Sequence, residues 1–228
     1  MGVETIVQIV YFLVIILFSL SVHESAHAWA ADRLGDPTAR QLGRVTLNPL
    51  PHIDPIGTIL FPILLAFSGM TVFGWAKPVP TIARHFRNPR RDQALVAAAG
   101  PVSNLMLVVA GLLVAGGLTA AMFAGDSDPG AMMIQVRNLV ASFATVNLFL
   151  ALFNLIPVPP LDGSWILEAL LPPSAYGFME TLRRFGPIVL FILLISGGFR
   201  YVLGPLFGIC GWFLIELPIA ALQALLTG

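Results

Sequence analysis

Long uncharged runs alternate with short polar stretches along this chain, and the alternation predicts its elements. No Asp, Glu, Lys or Arg occurs at 5–23, 55–76, 93–125 or 138–161. A helix crosses the hydrocarbon core of a bilayer with roughly 20 apolar residues, and these runs meet or approach that length. A first helix is expected from about Thr5 to Arg33, with its polar residues gathered at the C-terminal end. Residues 34–55, rich in Gly, Pro and Asn, include the strand-like Arg44-Val45-Thr46-Leu47. Further apolar segments follow at about Ile56–Val72, Asp92–Phe123, Met132–Ile156, Phe185–Gly197 and Val202–Leu226. Thr71–Phe73 is a second candidate strand.

Composition sharpens this picture. The 228 residues are 57% hydrophobic and 11% charged, against about 25% charged in ordinary globular domains. The expected fold is therefore an all-α polytopic membrane protein. Five or six transmembrane helices, a re-entrant segment and short membrane-associated β-strands are predicted. With no sequence repeat and no soluble insert, residues 1–228 read as one integral-membrane domain, with a catalytic core at about 5–170 and C-terminal helices at about 180–226. The first apolar run lacks the basic n-region of a signal peptide.

Charge bears on topology and partners. The net charge of zero leaves no basic surplus to neutralise phosphates, so no nucleic-acid partner is expected. Arg33, Arg40 and Arg44 precede the second segment, and Lys77, Arg84, Arg87, Arg90 and Arg91 follow it. Basic loops remain cytoplasmic. A second segment that re-enters keeps both groups on that side, whereas a full span separates them. The single cysteine, Cys210, rules out an intramolecular disulfide and a Cys-rich zinc site.

The chemistry gathers at His23-Glu24-Ser25-Ala26-His27. Helical positions i and i+4 share a face, so both imidazoles can bind one metal while the adjacent Glu acts as general base on water. Ionisable groups in a membrane helix are costly and mark function. A catalytic zinc site normally has three protein ligands, so a third must come from elsewhere. The carboxylates in or beside apolar segments are Asp92, Asp162, Glu168 and Glu216. Asp162 stands out, because it ends Asn154-Leu155-Ile156-Pro157-Val158-Pro159-Pro160-Leu161-Asp162-Gly163, where prolines break the helix. A surface turn is the other reading of that Asp-Gly.

Taken together, the two motifs resemble the site-2 protease family of intramembrane zinc metalloproteases, in its compact form without a PDZ or CBS domain. The resemblance covers about residues 5–170 and extends to Gly100-Pro101-Val102-Ser103-Asn104, which is similar to the family's Gly-Pro element. It implies one zinc ion per chain held by His23, His27 and Asp162. Glu24 would be the catalytic base and Asn154 an oxyanion or substrate donor. The implied function is cleavage of peptide bonds within or near transmembrane segments, with a transmembrane protein or peptide as substrate and the lipid bilayer as surroundings. The implied location is a prokaryotic inner membrane, with the active site towards the cytoplasm. A catalytically inactive scaffold of the family and a metal transporter are the alternatives.

Other polar residues read structurally. Asn147 shares a helical face with Asn154 and suits helix–helix hydrogen bonding as well as catalysis, and Asn104 reads as packing within the bundle. His52 reads as a loop residue satisfied by backbone or as a group approaching the metal, and His85 reads as surface. Trp29 and Trp75 fit interfacial anchors, and Gly111 and Ala115 permit close helix packing.

Overall fold

The computed structural model describes residues 3–67, 74–124, 130–212 and 224. The helices are α1 (Val3–Arg33), α2 (Thr38–Gln41), α3 (Phe61–Phe67), α4 (Pro89–Ala124), α5 (Gly130–Asn154), α6 (Asp162–Leu170), α7 (Tyr176–Ile195) and α8 (Phe199–Gly211). Three stretches, Val7–Arg33, Pro89–Met122 and Gly130–Asn154, are long and apolar enough to cross a membrane. The second apolar segment begins as a π-helical turn, Pro55–Leu60, that continues into α3. The expected count of five or six spans exceeds the three that the described residues provide.

No β-strand occurs among the described residues, which corrects one expectation. Arg44–Leu47 is a bend, because its polar groups are engaged elsewhere. The Thr46 carbonyl accepts from side chains. The buried Arg44 guanidinium donates to the carbonyls of Pro51, Lys77 and Pro78, which takes the place of a ladder. Thr71–Phe73 lies outside the described residues.

Two compact units divide the chain. The first comprises residues 1–103 and 165–171. Its α1 buries polar residues together with Ile15, Ile16, Leu20 and Ala28 and is apolar outside. Ser19, Ser21, His23, Glu24, Ser25 and His27 are buried, whereas Val7, Val10, Tyr11, Val14 and Phe18 are exposed. That is the reverse of a soluble helix, and lipid is the solvent it suits. Gly35, in the left-handed region at φ 112°, ends α1, and the Asp36 N–H donates back to Ala31 O at 2.9 Å. Beside this end Ala30 and Ala31 pack on Phe86 and Val96. At the start of α4, Asp92 accepts from Asn88 N–H at 2.9 Å and donates its own N–H to Asn88 O at 2.8 Å. The carboxylate therefore caps the helix. Arg90, in the same first turn of α4, donates to the Glu168 and Leu171 carbonyls.

Asp36, fully buried, ties the loop before α4 to α1. It accepts from Thr38 N at 3.0 Å, Thr38 Oγ1 at 2.5 Å, Ile82 N at 2.6 Å and His85 Nδ1 at 2.9 Å. His85 is thus a hydrogen-bond partner of Asp36 rather than plain surface. Burial raises the Asp36 carboxyl, but the bonds from Thr38, His85 and Ile82 outweigh it and hold the pKa at about 2 against 3.8. The depressed value stabilises the fold above about pH 4 by about 2 kcal/mol, and this is lost as pH falls towards 2. Asp36→Asn is expected to lower the unfolding free energy by about that amount at pH 7. Thermal unfolding in detergent, repeated between pH 7 and 3, checks it: the gap from wild type should narrow in the acid.

The second unit comprises residues 104–164 and 172–228. Within it Asn104 Nδ2 donates to Asn147 Oδ1 at 2.8 Å, and both residues are fully buried. The pair joins α4 to α5 and gives both residues a structural role. Gly111 permits the same close approach, since a Cβ there would lie 3.2 Å from Ala144 Cβ. Phe153 of α5 meets Phe199 of α8 at 5.3 Å between ring centroids.

Candidate active site

Helical geometry brings His23 and His27 together on the buried face of α1. Their Nε2 atoms lie 3.0 Å apart, and the rings meet nearly perpendicular, with centroids 4.6 Å apart. His27 Nδ1 is 2.7 Å from the Val96 carbonyl. A carbonyl accepts only, so the Nδ1–H points to it and the Nε2 lone pair faces His23. An ion ligated at roughly 2.0–2.1 Å from each imidazole nitrogen fits between two such atoms. Glu24, on the same turn, is 9% exposed. Its carboxylate is buried one residue along from His23.

Gly100 of α4 makes room for this pair. A Cβ at position 100 would stand 2.4 Å from His27 Nε2 and 2.6 Å from His23 Cε1. The backbone of α4 thus lies directly on the two imidazoles. The sequence offered one signal for this, the Gly-Pro element, but no indication of which side chains the glycine would touch.

In the other unit, Asn154 is the last residue of α5 and Asp162 the first of α6. Asn154 Nδ2 donates to Leu150 O at 3.0 Å, so one amide proton is held within its own helix. Between them the chain folds tightly. Val158 N–H donates to Ile156 O at 2.8 Å and Leu161 N–H to Val158 O at 3.0 Å. A Cβ on Gly163 would be 2.2 Å from Leu155 O, so only glycine lets α6 start there. The nine-residue α6 starts at Asp162, where the other reading of Asp162-Gly163 is a surface turn.

His52 is 2% exposed. Its Nε2 is 2.9 Å from Thr46 O and 3.3 Å from Ser25 Oγ. Its main polar contact is therefore backbone, the first of its two readings. Trp29 is exposed and carries the Arg33 guanidinium 5.3 Å from its ring centroid. Trp75 packs on Phe61 at 5.3 Å instead of standing alone.

Lipid-facing helices that carry a His-Glu-x-x-His pair on their buried face define an integral-membrane metalloprotease. The chain belongs to peptidase family M50, the site-2 protease family, whose model matches residues 11–194. It is similar to "Putative zinc metalloprotease YwhC" of Bacillus subtilis, 40% identical over 95% of this chain and 94% of that one. It is also similar to "Putative zinc metalloprotease Rip2" of Mycolicibacterium smegmatis (34% identical; 82% and 68% covered). The protein of that name from Mycobacterium tuberculosis is 32% identical, with 92% and 77% covered. No solved structure gives a significant match.

Proposed function

We propose that this chain is an intramembrane zinc endopeptidase that cleaves peptide bonds within or near the transmembrane segments of other proteins. One observation carries the reading: two imidazole nitrogens converge at 3.0 Å on the buried face of a helix whose outer face is apolar. The relatives' names point to zinc. His23 and His27 supply two ligands, and Asp162 supplies the third that a catalytic site requires. The place of Asp162 at the head of a helix held by Gly163 supports a fixed carboxylate.

Zinc, when bound, acidifies water and polarises the scissile carbonyl. The chain's own groups do the rest. Glu24 accepts a proton from the attacking water and delivers it to the departing amine. The Val96 carbonyl holds His27 in the tautomer that leaves its Nε2 free. Asn154, with one amide proton on Leu150 O, directs the other at the developing oxyanion. We place the protein in a prokaryotic inner membrane by analogy with its bacterial relatives, and the site towards the cytoplasm, because a second apolar segment that re-enters keeps the basic groups on both of its sides there.

The test is cleavage of a model transmembrane peptide by the full chain in proteoliposomes. Wild type should carry one zinc per chain, lose activity to a chelator and regain it with added zinc. Asp162→Asn should reduce zinc retention by about 10–100-fold or more, since removing even an outer-shell partner has that effect. Zinc retained in full by that variant would remove Asp162 from the ligand set. Zinc binding without cleavage by wild type would favour the inactive scaffold.

A further inference from the structure

His52 is a buried histidine of the first unit that the proposed chemistry leaves without a role. Its imidazole is 2% exposed. Nδ1 is buried and has no hydrogen-bond partner among the described residues, so the ring proton belongs on Nε2, which faces the Thr46 carbonyl at 2.9 Å. The Ser25 hydroxyl donates to the same carbonyl. Two side-chain donors thus meet on one backbone oxygen, and one of them is the middle residue of the His23–His27 turn, next to Glu24. A phenyl ring would fill this space without burying an unsatisfied nitrogen, which is costly. What the imidazole adds is its N–H.

The carbonyl belongs to the bend at Arg44–Leu47. His52 also anchors that region through its backbone, donating its N–H to Pro49 O at 2.9 Å and accepting from Lys77 N–H at 2.9 Å. Val45, Leu47 and Leu50 of the same stretch face outward, with Leu47 62% and Leu50 72% exposed. The polar side of the stretch is therefore fixed to the catalytic helix while its apolar side is free to meet something else.

We propose that His52 is a positioning residue for the hydrolysis. Together with Ser25 it clamps Thr46 O, and so holds the 44–50 stretch as a fixed wall beside the turn that carries Glu24. This inference rests on the endopeptidase reading. A substrate resting on that wall meets Glu24 in one register, and a wall free to shift costs orientation rather than affinity.

The experiment uses the full chain in proteoliposomes with a transmembrane peptide, reading kcat, KM and zinc content. His52→Phe keeps the ring and removes the donor, while His52→Gln keeps a donor at the place of Nε2. His52→Phe should lower kcat by about 10–100-fold, with KM and zinc unchanged, and His52→Gln should recover most of that loss. Ser25→Ala should lower kcat less. The Ser25→Ala/His52→Phe double variant should lose less than the product of the two single losses, because both donors serve one carbonyl. Wild-type kcat in His52→Phe overturns the proposal, and so do equal losses in Phe and Gln or zinc lost in step with activity. If His52→Phe does not accumulate, Ser25→Ala decides: reduced kcat with zinc retained supports the clamp, and unchanged kcat refutes it. Failure of wild type to cleave strikes the endopeptidase reading instead.

Discussion

Glu24→Gln is expected to abolish cleavage while leaving zinc in place. Gln matches Glu in shape, so the buried turn of α1 keeps its packing, and only the carboxylate's ability to take a proton is lost. Glu24 is not among the proposed ligands, which are His23 and His27, whose Nε2 atoms converge at 3.0 Å, and Asp162. General acid–base catalysis contributes about 10²–10⁴-fold, and the rate should fall at least that far. The measurement pairs single-turnover cleavage with metal analysis of the same sample. A variant that cleaved at the wild-type rate would place the base elsewhere.

Gly100→Ala has the second large effect, and it acts from a different helix. A methyl group at position 100 would sit 2.4 Å from His27 Nε2, inside the distance any carbon tolerates. The contact atoms are ring atoms of the two imidazoles, and one of those rings is already fixed by the Val96 carbonyl at 2.7 Å. Relief therefore requires α4 to back away or the rings to turn, and either change separates the nitrogens. Overpacking of this kind costs about 1–3 kcal/mol. Metal affinity should fall by more than the 10–100-fold typical of an outer-shell loss. Zinc titration by calorimetry, alongside the melting temperature, checks both. Wild-type zinc affinity in this variant would mean that the α4 backbone does not press on the pair.

How much of this was legible beforehand depended on where the signal lay. Helices α1, α4 and α5 could be read because their uncharged runs are long, and their observed ends fall within a few residues of the expected ones. α6 was not read, since nine residues behind a proline cluster carry too little periodicity. The strand expected at Arg44–Leu47 failed for a tertiary reason. Arg44 and Thr46 make their bonds to residues distant in sequence, and no local propensity reports that.

The candidate site divides in the same way. His23, Glu24 and His27 were legible because one helical turn sets their relation. The nearness of Gly100 to the imidazoles was hidden, as was the service of Val96 and Thr46 through their carbonyls. A backbone oxygen is the same at every residue, so sequence cannot mark the ones in use. Asn104 and Asn147 could each be read as buried in the bundle, but not as partners of one another, because the pairing depends on how α4 packs on α5.

Helix α4 holds 36 residues, a rise of about 54 Å at 1.5 Å per residue. The hydrocarbon core is about 30 Å thick. A rod so much longer than its solvent layer is deep cannot be matched to it by composition alone; it leans, or it stands clear of the lipid at one end. Its inclination is then set by acyl-chain length as well as by its neighbours.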